Sequence, residues 1–202
     1  EGLPELAPAS IARMLAAVRG VHRFWATEHV TADDLARHIR PPRPSRRLPK
    51  ALSVQQVQQL LTSAAGGDDS SPVRTTAQLC DAALTELLYG TGIRVSELCG
   101  IDVDDLDRVR RTVRVTGKGY KQRTVPFGGP AGAALDDWLA VRSQLATPAA
   151  GAALFVGARG RRVDPRTVRS VVHRLTALAG VPDLAPHGLR HSAATHVLEG
   201  GA

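Results

Sequence analysis

Four cationic side chains in three short stretches of this sequence suggest a common chemistry. In YGTGIRVSEL, glycines at 90 and 92 force a tight turn immediately before a helix. Arg94 then falls in the first helical turn, where unpaired amides and the helix dipole favour an anion. Glu97, three residues on, shares that face and could fix the guanidinium, although an ordinary surface pair has the same spacing. In VTGKGYKQR, Lys118 stands between two glycines at a hairpin tip, free to swing over a ligand or simply to stay solvated. In PHGLRHSAATH, His187 and Arg190 lie on one helix face near its amino end. His191 and His196 read as surface or half-buried histidines.

Two arginines, a lysine and a histidine without a cluster of metal ligands suit phosphoryl transfer, where catalysis is mostly positioning and charge stabilisation. The planar arginine fork matches the non-bridging oxygens of a phosphate. Histidine and lysine can move protons to and from the attacking and leaving oxygens. None of the four is a nucleophile.

Elements that would position these groups are legible in the pattern. Apolar residues at helical spacing predict a helix over 10–27, and Thr31 with Asp34 predicts a capped second helix to His38. Ser53 and Gln56 predict a helix to about Ala65, and GGDDSSP a loop. Residues 74–89 read as the most apolar helix, ended by Gly90 and Gly92. A short helix follows in IRVSELCG. TVRVT (112–116) and RTVPF (123–127) alternate as strands of a hairpin, and ALFVG reads as a third strand. Helices are expected at 131–145, from Asp164-Pro165 to about Ala179, and from about Pro186. The fold class is therefore mainly α with a small antiparallel sheet.

With 202 residues, 43% of them apolar, the chain can bury one substantial core and a small second unit. Lys and Arg number 26 against 19 acids, a formal charge of +7, which attracts a polyanion without identifying it; an acidic membrane surface competes with nucleic acid. No apolar run is long enough to span a bilayer and no signal-peptide pattern is present, so the chain is expected to be cytoplasmic. Cys80 and Cys99 sit among apolar neighbours and read as buried free thiols. RPPRPSRRLPK, residues 40–50, holds four prolines, five basic residues and no acid. Proline blocks helix, and eleven residues in polyproline geometry reach roughly 34 Å, enough to follow a DNA duplex. Arg43, Arg46, Arg47 and Lys50, with Lys121 and Arg123 of the hairpin, are the expected DNA contacts.

YGTGIRVSELCGIDVDDLD, VTGKGYKQRTVPFG and PHGLRHSAATHVLEGGA, in that order, resemble the catalytic domain of bacterial tyrosine recombinases of the Xer type. The resemblance spans about 48–202. LAAVRGVHRF and PSRRLPK resemble the end of the preceding core-binding domain. It implies three regions: a partial helical core-binding domain at 1–39, a basic linker at 40–50, and a catalytic domain at 51–202. Of the two Xer branches, the catalytic half is nearer XerC and residues 1–50 nearer XerD.

The resemblance makes Arg94, Lys118, His187 and Arg190 catalytic and Glu97 their support. It also implies strand exchange through a 3′-phosphotyrosyl intermediate, without metal or nucleotide cofactor. The implied partners are a double-stranded recombination site, a second Xer recombinase in a heterotetramer, and a division-septum DNA translocase. The implied task is resolving chromosome dimers. In this family a further His or Trp and the nucleophilic tyrosine follow the His-x-x-Arg helix. Tyr89 and Tyr120 stand elsewhere, so the 202 residues, with Glu at position 1 and Met14 the only methionine, read as a fragment expected to bind DNA without cutting it. The alternatives are a phage or transposon integrase of the same fold, a non-catalytic DNA-binding module, and a type IB topoisomerase.

Overall fold

In the computed structural model the described residues are 6, 8–42, 51–66 and 74–200. The chain divides into two compact units, Glu1–Leu48 and Pro49–Ala202. The first carries α1 (Pro8–Thr27), whose Met14, Val18, Val21 and Phe24 are exposed. The helix expected from Thr31 to His38 does not form; those residues make turns. The Thr31 hydroxyl donates to the Asp33 carbonyl, and an Asp34 carboxylate oxygen accepts from the Ala36 N–H. Short polar side chains satisfy the backbone locally and outcompete the helix. Residues 43–50, with Arg43, Arg46, Arg47 and Lys50, lie outside the described residues, as does most of GGDDSSP.

The second unit opens with α2 (Val54–Ala64). Ser53 Oγ accepts from the Gln56 N–H at 3.2 Å, and Gln56 Oε1 from the Ser53 N–H at 2.9 Å. This reciprocal cap satisfies two orphan donors at once. Helix α3 (Thr76–Thr91) begins the same way at Thr75 and Gln78. It is the central element, with Ala83, Leu84, Leu87 and Leu88 buried, and it packs on α2, on α5 (Gly129–Leu145) and on α7 (Pro186–Glu199). Gly90 stays helical; Gly92, at φ 57°, ends the helix.

After α4 (Val95–Cys99) come β1 (Leu106–Asp107), β2 (Thr112–Thr116) and β3 (Gln122–Pro126), an antiparallel sheet in the order β1–β2–β3. Val113 and Val115 of β2 are buried while Arg114 faces out, the alternation of a half-buried strand. In the register Val113 opposes Val125, and Val115 opposes Arg123.

The ALFVG segment is not a strand of this sheet; the third strand is β1. Ala153, Leu154, Phe155 and Val156 are all buried, with no outward face to alternate. Their backbone groups find separate partners. The Leu154 N–H donates to the Ile101 carbonyl, the Trp138 indole donates to the Leu154 carbonyl at 3.0 Å, and Arg142 Nε donates to the Ala153 carbonyl. Only isolated bridges, Asp102 with Ala153 and Val156 with Arg162, resemble strand pairing. A consecutive apolar run is thus core lining here, held by α5.

Helix α6 (Pro165–Leu178) starts as its sequence predicts: Asp164 accepts from the Thr167 N–H at 2.8 Å and Pro165 takes the first position. Pro186 opens α7 likewise. The early glycine of α7 has a packing reason. A Cβ on Gly188 would stand 2.3 Å from Leu184 Cδ1 and 2.8 Å from its Cγ. The bare backbone lets the first turn of α7, which carries His187, seat on the preceding segment.

Candidate active site

The turn between α3 and α4 sets the first arginine. Ile93 is buried and anchors the turn, and Arg94 takes extended backbone (φ −77°, ψ 151°) as the residue capping α4, one step before the helical turn predicted for it. Its N–H donates to Glu97 Oε2 at 2.8 Å and its Nη1 to Glu97 Oε1 at 3.0 Å. Glu97 is almost wholly buried, at 3% exposure. Both of its oxygens also receive the fork of Arg123, Nη1 to Oε1 and Nη2 to Oε2, each at 2.8 Å. The Arg123 hydrogen bonds pull the Glu97 carboxyl down to about 2; burial opposes them, and the Arg94 N–H and guanidinium add to the lowering. Arg94 itself is 61% exposed along its side chain, so most of its fork is presented to solvent.

The β2–β3 hairpin meets this carboxylate. Gly117 lies so close that a Cβ there would be 3.4 Å from Glu97 Oε1 and 3.6 Å from Arg123 Nη1. Lys118, the next residue, begins a single turn of 3₁₀ helix, Lys118–Tyr120, at the tip. It is exposed and makes no hydrogen bond or ion pair among the described residues. Tyr120 is exposed too, and Lys121 contributes its carbonyl to the Gly117 N–H at 2.8 Å while its side chain faces solvent.

The second arginine arrives on α7. Arg190 is half-buried, and its Nη1 is buried with no hydrogen-bond partner among the described residues. Its Cγ stands 4.0 Å from where a Cβ of Gly92 would be, so it lies against the turn that leads to Arg94. Arg190 also borders a groove of about 410 Å³ between α3 and α7, walled by Tyr89, Gly92, Ala193 and Val197. His187 is exposed in the first turn of α7, one turn before Arg190. No hydrogen bond or ion pair among the described residues joins His187 or Lys118 to the other candidates. The structure thus gathers Arg94, Glu97, Arg123 and the root of the lysine hairpin directly, sets Arg190 beside the Gly92 turn, and leaves His187 and Lys118 as exposed side chains.

Two features were missed by reading motifs alone. Arg123, expected on DNA, has both terminal nitrogens on Glu97. A signal existed: the strand alternation puts Arg123 on the same face of the hairpin as Val125, the side from which its fork reaches Glu97. His196, half-buried, ties three segments together. Its Nε2 lies 2.9 Å from the Leu52 carbonyl, which can only accept, so this nitrogen carries the proton. Nδ1 then accepts from the Tyr89 hydroxyl at 2.9 Å. His191 is exposed.

The model of the phage integrase family matches residues 50–202, and the chain belongs to that family. It is similar to "Tyrosine recombinase XerC" of Mycobacterium sp. (strain KMS), 50% identical over 199 residues, which is 97% of this chain and 65% of that protein. The chain therefore spans about 65% of the length of such curated relatives. That alignment takes in residues from both units. Among solved structures, the XerA recombinase matches with a TM-score of 0.65 at 25% identity, covering 100% of this chain and 72% of its own. The Tn1549 transposon integrase in complex with a circular intermediate DNA matches in fold with a TM-score of 0.76 at 18% identity, covering 97% and 68%. No helix among the described residues is long and apolar enough to cross a membrane.

Proposed function

We propose that the second unit carries the phosphate-activating groups of a site-specific DNA recombinase of the Xer type. The observation that carries this reading is the pair of arginine forks with spare donors. Arg94 is locked by Glu97 yet largely open to solvent, and Arg190 brings a buried, unpartnered Nη1 to the turn just before it. Leaving such a donor buried is costly unless a ligand takes it. An anion with several oxygens fits that need, and a scissile phosphodiester is one.

In this reading Arg94 and Arg190 stabilise the charge on the pentavalent phosphorus. Lys118 protonates the departing 5′-oxygen, its exposed hairpin position allowing it to close over the strand. His187 handles the proton of the attacking tyrosine, and the 3′-phosphotyrosyl ester so formed is reversed by a 5′-hydroxyl of the partner duplex. Covalent catalysis of this kind divides one displacement into two similar ones and needs no outside energy. The complete protein would work in the cytoplasm as one half of a heterotetramer with a second Xer recombinase on two duplex sites. It would resolve chromosome dimers under a septum DNA translocase. Likeness to a mycobacterial XerC supports the branch, and the transposon integrase, captured on DNA, supports a duplex partner.

Within residues 1–202 the tyrosines are Tyr89 and Tyr120. The Tyr89 hydroxyl is engaged by His196, and Tyr120 sits on the hairpin tip. The 202-residue polypeptide is therefore expected to bind DNA and not to attack it. Incubation with a nicked suicide duplex should give no covalent adduct, and a band stable to sodium dodecyl sulfate would overturn this. Affinity should fall steeply as salt rises, because phosphate contacts release counterions. A flat salt response would count against the phosphate reading itself.

A further inference from the structure

Arg123 is the one member of the cluster with both terminal nitrogens bonded to Glu97. Val115, its partner across the β2–β3 register, is buried, and Arg123 lies on that same face of the sheet with its side chain 42% exposed. Each Glu97 oxygen is shared between two donors. Oε1 bridges Arg123 Nη1 and Arg94 Nη1; Oε2 bridges Arg123 Nη2 and the Arg94 N–H. A carboxylate gripped at both oxygens by one planar fork cannot rotate without breaking both bonds. Gly117, at the root of the Lys118 tip, packs on the same oxygen that Arg123 and Arg94 share.

We infer that Arg123 is a positioning residue: through Glu97 it sets the direction of the Arg94 guanidinium and ties the Lys118 hairpin to the same carboxylate. This rests on the proposed role of Arg94 and Lys118 at a phosphodiester. Each terminal nitrogen of Arg123 gives one N–H to Glu97, which turns its fork toward the carboxylate.

Among the described residues, two charged groups bond Glu97. Arg94 faces it from its own helix and Arg123 from β3. From β2, Arg114 faces out, away from Glu97, and pairs with Asp105. From the segment before α6, Arg162 is taken by Asp102 and by the Cys99 and Ile101 carbonyls, and Asp164 caps α6.

The test uses the 202-residue chain and its variants R123M, R123K, R94M and R94M/R123M. Carbon-detected NMR follows the Glu97 carboxyl, and nitrogen-15 NMR follows Arg94 Nε, as the pH is lowered. In R123M the Glu97 midpoint should rise past the ordinary glutamate value of about 4.3, because burial persists while its main donor is gone. The Arg94 Nε signal should move with that same midpoint. R123K, with one point charge in place of a fork, should fall between. If Arg94 Nε ignores the Glu97 titration, or R123M leaves the midpoint where it was, the inference fails. A general loss of packing would not produce a shared midpoint. Should R123M not fold, R123K carries both readouts.

Binding to a fluorescein-labelled duplex of mixed sequence, measured against salt, supplies the second arm. R123M should weaken binding by nearly as much as R94M and cost nothing more in the R94M background. An additive loss, with the log–log salt slope shallower by about one further unit, would make Arg123 a direct phosphate contact and overturn the inference. If the unsubstituted chain does not bind the duplex, the proposed function fails while the NMR arm still decides the role of Arg123.

Discussion

The two arginine-bearing corners of the second unit are built on opposite plans. At the α4–β3 corner, one buried carboxylate takes four donors from two arginines, so both guanidiniums are held before any ligand arrives and one positive charge is left over. At the start of α7, Arg190 holds a buried nitrogen with nothing to bond, and His187 stands exposed a turn away. The first corner contributes to stability and is preorganised. The second carries an uncompensated cost that binding can repay. A site that must bind, react and release profits from having both: a fixed reference on one side and an unmet demand on the other.

Substitution can break this contrast. Glu97→Gln should be the most damaging change, because it leaves two guanidiniums facing a neutral amide; with both arginines partly open to water, losing the charge-assisted hydrogen bonds costs roughly 1.5–3 kcal/mol, read as a lowered denaturation midpoint. Acid acts on the same corner. The Glu97 carboxyl lies below its unfolded value, so its contribution is complete above the ordinary glutamate range of about 4.3 and drains away as pH falls toward about 2. A wild-type stability curve should therefore bend downward in that window, and the Glu97→Gln curve should lack that component.

Gly188→Ala tests the seating of α7. With Leu184 in the way, overpacking should cost about 1–3 kcal/mol and loosen duplex binding together with stability. Arg190→Met should have the smallest effect on stability. Removing a buried unpaired donor should leave the melting temperature level or slightly raised, yet DNA binding should weaken and its salt slope become shallower by about one unit. A large stability loss at Arg190 would erase the contrast between the corners.

Much of this arrangement was legible before any coordinates. The Ser53–Gln56 cap, the Asp164-Pro165 start and the β2–β3 hairpin are local events, written in a few adjacent residues, and each forms where expected, whereas the α3–α4 turn falls at Gly92 alone, with Gly90 still helical and Arg94 capping α4. The misreadings came where local wording competes with surroundings. Thr31 and Asp34 spell a helix start, but with no helix-length apolar stripe behind them their side chains close turns instead. ALFVG spells a strand, but its neighbours are helices and single carbonyls, so it becomes core lining. At the candidate site, Arg94 with Glu97 could be paired from spacing alone. Arg123 could not be assigned to the same carboxylate without the register, because charge by itself points equally to DNA. The buried Nη1 of Arg190 is a property of packing, and no motif records it.

Leu52 also bears on how freely the second corner can shift. Its N–H is bonded to Ser192 Oγ at 3.0 Å and its carbonyl to His196 Nε2, so α7 grips a single peptide residue from above and below. That residue is adjacent to the cap of α2. Helix α7 is consequently riveted to the entrance of the unit: it cannot roll or slide to re-aim Arg190 without unfastening two bonds and tugging the α2 cap with it. Motion at the arginine and motion at the threshold of the domain are mechanically one event.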